Sequence, residues 1–358
     1  MGNAQSYVTA SLSACSVYLL YVYIYRAHEA LKTNVLQSDK LPSFLYLYGK
    51  YLSRALTRRE GHLCAAAEER EVIYTVLNCR LQTAPLRSFC SAAGYGWDYP
   101  DTEYRDVPLC FPEFLCCRLL LMLFTDGGFR LSPAGLVRVR QSLKTLQPID
   151  ELKKGPFTLQ VRVLGYRRTG AGVEVDVRAS ATSRSGCPVW ESVLTLLSEN
   201  KLRKHGGRFP DEGGEGQADE PAPEDAKRVE LRVPRTAGLR CAWSFSDFSP
   251  QRLLAVPARF FGFRTQTALS LWMLSVCLAE VEKHKGVEVI TAPVSVTVHF
   301  QEPLSAPGEV TIRFWETTQS AGESSSSSSS SRGLGFHMQQ RGRSVSHLVG
   351  RISRSSLT

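Results

Sequence analysis

The 358-residue chain carries seven histidines, ten cysteines and 34 acidic residues, the groups able to move protons, attack carbonyls or hold a metal. Their spacing decides which of these they do. The cysteines, at 15, 64, 79, 90, 110, 116, 117, 187, 241 and 277, form no CxxC pair, and no histidine stands at zinc-finger distance from them. They read as free thiols of a reducing compartment, with the vicinal Cys116–Cys117 pair serving as packing in an apolar helical run. Glycine-rich phosphate loops, GxSxG and HExxH are all missing, so the motifs of P-loop, serine-hydrolase and zincin chemistry are excluded, and neither a metal nor a cofactor is expected. His299 lies in VSVTVHF, where alternation sets it opposite the face of Val294, Val296 and Val298. His337 and His347 lie in the last two strand-like segments and are candidate neighbours, but no third ligand or base accompanies them. A lone imidazole on a strand reads as a structural residue.

The elements that must position any site begin with an apolar stretch. Tyr7–Tyr25 (YVTASLSACSVYLLYVYIY) has no charge, proline or glycine, and as a helix it would rise about 28 Å, near the hydrocarbon thickness of a bilayer. Its five tyrosines and the following Arg26, Lys32 and Lys40 predict a membrane span or anchor over residues 7–25, with the globular part facing the cytosol and membrane lipid as a partner. Met1-Gly2-Asn3-Ala4-Gln5-Ser6 also satisfies the myristoylation pattern, with Cys15 near for palmitoylation.

The net charge is +9. Its arginines are dispersed (Arg138, Arg140, Arg162, Arg167, Arg168, Arg178, and five more after residue 331) without a recognition motif, so nucleic acid is not an expected partner. Such a surface suits anionic headgroups or a phosphorylated ligand. Residues 201–228 hold seven acids, five glycines and three prolines and read as a solvated linker between residues 27–200 and 229–358. Ser324–Ser331 reads as a disordered serine-rich loop over 323–332, inserted in a hairpin.

The two parts share a pattern. Phe111–Phe124 (FPEFLCCRLLLMLF) is an apolar helix followed by LVRVRQSL, FTLQVRVLG, VEVDVRASA and VWESVLTLL. Ala268–Glu282 (ALSLWMLSVCLAEVE) is an apolar helix followed by VSVTVHF, EVTIRFWE and two terminal strands. Gln147-Pro148-Ile149 and Glu302-Pro303-Leu304 close the first strand of each set. An almost wholly apolar helix followed by antiparallel strands predicts an α+β fold, a helix wrapped in a curved sheet, made twice. Sheet edges offer a route to oligomers.

Gly238–Leu253 (GLRCAWSFSDFSPQRL) and Phe261–Leu274 (FGFRTQTALSLWML) resemble the core motif of MaoC-like hydratases and dehydratases, Y-A-x-x-S-G-D-x-N-P-I-H followed by G-F-x-x-x-I-A-H-G-M. Through VPLCFPEFL, GFRLSPAGLVRVRQ and VWES, the first part resembles the N-terminal half of the double hot-dog members. The resemblance covers roughly residues 95–200 and 229–358. It implies a tandem hot-dog fold and an acyl-thioester ligand such as acyl-CoA. In that family an Asp and a His share one water for addition to an enoyl thioester, and a backbone N–H at the helix start polarises the carbonyl. Carried onto this chain, the Asp is Asp247, the Asn is Ser249, the Pro is Pro250 and the His is Arg252. The later A-H-G falls on Ala268, Leu269 and Ser270. A guanidinium never gives up its proton near neutral pH, so Arg252 is no acid/base. The resemblance therefore implies a site that keeps one carboxylate and has lost its imidazole. Arg259, Arg264 and Thr265 precede the helix as candidate ligand contacts, the arginines toward phosphate. Binding without hydration is the leading expectation. An active R-specific enoyl-CoA hydratase or 3-hydroxyacyl-CoA dehydratase, or a hot-dog thioesterase, are the alternatives.

Overall fold

The computed structural model describes residues 2–64, 71–95, 107–200, 223, 226–233, 266–302, 304, 308–318, 332–342 and 345–354. Most of the acidic linker and the whole serine run lie outside them. Among the described residues eleven strands form one sheet: β1 (Val35–Gln37), β2 (Ile73–Cys79), β3 (Leu136–Thr145), β4 (Phe157–Thr169), β5 (Gly172–Thr182), β6 (Pro188–Glu199), β7 (Lys227–Val233), β8 (Val294–Phe300), β9 (Gly308–Thr318), β10 (Arg332–Gln340) and β11 (Ser346–Arg354). Their order across the sheet is β1-β2-β4-β5-β6-β3-β8-β11-β10-β9-β7, with β1–β2 the parallel pair.

That order is a repeat. β2-β4-β5-β6-β3 and β7-β9-β10-β11-β8 are the same five-strand arrangement, and they join where β3 meets β8 antiparallel, Arg140 opposite His299 through Thr145 opposite Val294. Strand alternation fixes which face is dry. Val294, Val296, Val298 and Phe300 point to the core, as do Leu348, Gly350 and Ile352 in β11 and Leu334, Phe336 and Met338 in β10.

Among the described residues the α-helices are α1 (Gly2–Lys32), α2 (Phe44–Thr57), α3 (Thr83–Ala93), α4 (Phe111–Leu115), α5 (Cys117–Phe124) and α6 (Gln266–Lys285), of which α4, α5 and α6 pack on the sheet. Ser43 caps α2 by accepting from Tyr46 N–H at 3.3 Å, and α3 ends on Gly94 in the left-handed region, φ +81°. Lys283, His284 and Lys285 in the last turn of α6 suit the negative end of its dipole. Every residue from Ser270 to Glu282 is buried, as the all-round apolar pattern requires. α6 packs on β3 and β10, and Trp272 donates its indole N–H to Ala92 O of α3 at 2.9 Å, which ties the halves together a second time. The apolar run Phe111–Phe124 is two helices, broken at Cys116. The double hot-dog architecture is as expected.

The membrane helix is not. Among the described residues no helix is long and apolar enough to cross a membrane, which overturns the anchored placement and its cytosol-facing orientation. Ser11, Ser13, Ser16 and the tyrosines dilute the apolar stretch, and α1 runs on without a break through Arg26, His28, Glu29 and Lys32. Its far end belongs to the globular body: Ala27 and Leu31 are buried, and Leu31 O accepts from the Tyr74 hydroxyl of β2 at 3.2 Å.

Candidate functional site

Asp247, Ser249, Arg252, Arg264 and Thr265 lie outside the described residues, as do Pro250 and Arg259. Leu269 stands in the first turn of α6, and Ser270, buried, follows it. The structure therefore places the helix-borne end of the predicted site.

The histidines divide. His299 is exposed on the outer face of β8 beside Arg140, and His337 faces outward from β10 with its ring edge-on to Trp315, centroids 5.5 Å apart. His347 is fully buried, its Nδ1 3.2 Å from Glu302 O. The pair expected as neighbours thus sits on opposite sides of the sheet. A register irregularity after Met338, where Gln339 lies opposite Ser346, changes the facing of His347 relative to the rest of β11.

The buried thiols are packing groups. Burial pushes Cys79 up to about 11 and Cys90 up to about 12, and holds Cys116 and Cys277 further above the ordinary thiol range. A neutral thiol is a poor nucleophile and a poor metal ligand. Among the described residues, no three His, Cys, Asp or Glu side chains converge as a metal site would need.

One polar constellation was not foreseen. Glu113, Arg138, Gln141 and Ser192 are all buried inside the first half. Arg138 Nη2 donates to Glu113 Oε1 at 2.6 Å and Nη1 to Gln141 Oε1 at 2.8 Å. Gln141 Nε2 donates to Glu113 Oε2 at 2.6 Å and to Ser192 Oγ at 3.0 Å. Strict alternation would put Arg138 and Arg140 on one face. The pairing of β3 with β6 slips between them, Arg138 opposite Leu196 and Arg140 opposite Thr195, so Val139 is the extra residue of a bulge and Arg138 turns inward. The guanidinium then lies 5.9 Å from the Phe300 ring centroid, across the seam between the halves. Both Glu113 oxygens are engaged by internal donors. The cluster is an anchor, not a base awaiting substrate. The glutamate inside FPEFL was the signal that sequence offered for it.

Around it the first half is densely filled. Trp190 is fully buried and donates to Leu109 O at 2.9 Å, and Phe89, Phe111 and Phe114 pack at centroid distances of 5.3–5.5 Å. A hollow of only ≈ 10 Å³ remains at the seam, bounded by Val107, Leu109, Thr145, Ile149, Ile290 and Ala292. A second, of ≈ 240 Å³, lies along the outer edge at β7 and β9.

No protein-family model and no curated protein matches this sequence. Solved structures do. HtdX of Mycobacterium tuberculosis superposes with a TM-score of 0.54 at 18% identity, covering 78% of this chain and 98% of that one. A MaoC-like dehydratase from Phytophthora capsici gives 0.54 at 16% identity, covering 86% and 99%. The peroxisomal multifunctional enzyme type 2 of Drosophila melanogaster gives 0.51 at 14% identity, covering 79% of this chain and 48% of that one.

Proposed function

We propose that this chain, which carries the double hot-dog fold of MaoC-like dehydratases, binds an acyl thioester such as acyl-CoA without hydrating it. The observation that carries the reading is the pair of residues at the family's acid/base positions: Asp247 retained, Arg252 where an imidazole belongs. Adding water to an enoyl thioester needs one group to take a proton from the water and another to return one to carbon. A carboxylate does the first; a guanidinium does neither. Beside Asp247 it would also favour the ionised carboxylate and weaken it as a base. Loss of one positioned acid/base group typically lowers a rate by about 10²–10⁴. Leu269, at the family's second His, removes a further imidazole from the helix start, and Ser270 stands at its Gly.

The fold supports the binding half of this reading, because the long helix and curved sheet are the frame in which relatives of this shape are dehydratases by name. The dense first half suits a role in which that half braces the second. The test is a thermal-shift titration with saturated and 2-enoyl CoA esters of increasing chain length, beside free CoA. Stabilisation that grows with acyl length supports the reading; no shift at any concentration rejects it. Arg252→His sharpens it, since restoring the imidazole should raise hydration from background while leaving the thermal shift in place.

The retained Asp247 favours a second reading, an active hydratase or dehydratase whose second titratable group comes from elsewhere in the chain. Hydration lost on Asp247→Ala but indifferent to Arg252 would favour it.

A further inference from the structure

Among the described residues the sheet ends on β7, which pairs with β9 alone. A regular edge strand presents a row of backbone donors and acceptors on which another strand can form. β7 reads KRVELRV. Lys227, Arg228, Glu230 and Arg232 are exposed, Val229 and Leu231 half-buried, and Val233 buried. Alternation puts Val229, Leu231 and Val233 on the core face and Arg228, Glu230 and Arg232 on the outer face. Beside the outer row lies the hollow of ≈ 240 Å³, lined by Glu230, Leu231, Arg232, Glu309, Val310, Thr311 and Arg341, with Arg341 tethered to Glu309 at 2.9 Å. Edges that avoid partners are short, bulged or lined with charge, lysine above all. β7 is regular over seven residues, its one lysine stands at its first position, and on its outer face Arg228, Glu230 and Arg232 alternate in sign.

We infer that β7 pairs antiparallel with β7 of a second copy of this chain, with Leu231 on the two-fold axis. That register sets Val229 against Val233 twice and Leu231 against itself, an apolar row continuing the core face. On the outer face it sets Glu230 against Arg232 twice, two cross-strand ion pairs beside the hollow. The neighbouring registers fail. With Glu230 on the axis, Glu230 meets Glu230 and Arg228 meets Arg232. With Arg232 on the axis, two guanidinium groups meet. With Val229 on the axis, Lys227 is forced opposite Leu231 in the apolar row. Opposite charges across a strand pair stabilise it and like charges destabilise it, which rejects the Glu230 and Arg232 registers; the Val229 register also pairs Arg228 with Glu230, and it is its two lysines in the apolar row that reject it. The surface covered by so short a pairing is well below the roughly 800 Å² per partner of a standard interface, so the dimer forms reversibly as concentration rises.

The test is sedimentation velocity over a dilution series of the full chain. Wild type is expected to pass from monomer to dimer. Arg232→Glu and Glu230→Arg each put like charges opposite at both contacts and should weaken dimerisation by roughly tenfold or more, while the combined E230R/R232E variant restores it. Circular dichroism checks that each variant is folded. Leu231→Cys gives a second readout, because a residue on the axis should cross-link the dimer through a disulfide seen on a non-reducing gel beyond any wild-type background. A chain that stays monomeric at every concentration, a dimer that the single reversals leave intact, or a Leu231→Cys variant that does not cross-link overturns the inference.

Discussion

The two halves share one strand arrangement but fill their interiors differently. In the second, α6 is continuous and dry, and its buried acids Glu280 and Glu282 come only at the C-terminal end, where Lys283 reaches Glu280 at 2.6 Å. In the first, the helix breaks at Cys116 and its buried Glu113 is met deep inside by Arg138, Gln141 and Ser192. A buried ion pair adds little net stability but is expensive to leave half-made. It therefore fixes where elements sit more than how tightly they hold. Here it fixes α4 against the bulged β3, the strand that carries the seam to the second half. The difference teaches that a repeated fold can keep its strand order while its two copies fill their interiors with different chemistry.

The sharpest way to break the comparison is Arg138→Met, which leaves the Glu113 carboxylate buried and unpaired. It should lower unfolding free energy by about 3–5 kcal/mol in a urea titration. Adding Glu113→Gln should recover much of the loss. A single-variant effect as small as that of a surface arginine would show that the cluster is not an anchor. Next is Leu143→Ala, which empties a fully buried position of β3 opposite Val296 of β8; about 2–5 kcal/mol is expected, with both halves unfolding together because they share the seam. Tyr74→Phe comes third. Its hydroxyl bonds the Asp126 carboxylate and Leu31 O, and losing it should lower stability by about 1–3 kcal/mol while loosening the docked end of α1, read as faster amide exchange there.

A fourth test is alkaline, and in the first half it rests on three buried groups. Burial raises Tyr51 from 10.0 to about 12, Cys79 from 9.0 to about 11 and Cys90 from 9.0 to about 12. Each group keeps its proton longer folded than unfolded, so its contribution is complete below pH 9 and is lost as pH rises through the folded values. The urea midpoint should hold steady to about pH 9 and fall between about 9 and 12, with Tyr51→Phe reducing the upper part of the fall. A midpoint that rises over that interval would contradict the sign.

Periodicity made much of this legible. Most strands of both parts, the two apolar helical runs and the outward placement of His299 follow from the residue pattern. The pattern reading misses β1, β2 and β7, although IYTVLNC and KRVELRV both alternate, and the linker expected over 201–228 takes in Lys227 and Arg228 of β7. Arg138 was misplaced for a physical reason: a bulge adds one residue and reverses every facing beyond it, and nothing in LVRVRQSL marks where the slip occurs. The apolar N-terminal stretch misled differently. Hydropathy scores a segment in isolation, whereas the docking of Ala27 and Leu31 is a property of the folded chain. At the candidate site, Leu269 and Ser270 are placed on α6, while the pairing of Asp247 with Arg252 rests on sequence.

The central claim is that Asp247 stands beside a group that cannot shuttle a proton. Its most direct test is hydration of a medium-chain 2-enoyl-CoA followed by loss of the enoyl absorbance, comparing wild type with Asp247→Ala. The account predicts background rates for both. Clear turnover by wild type that the substitution abolishes would contradict it.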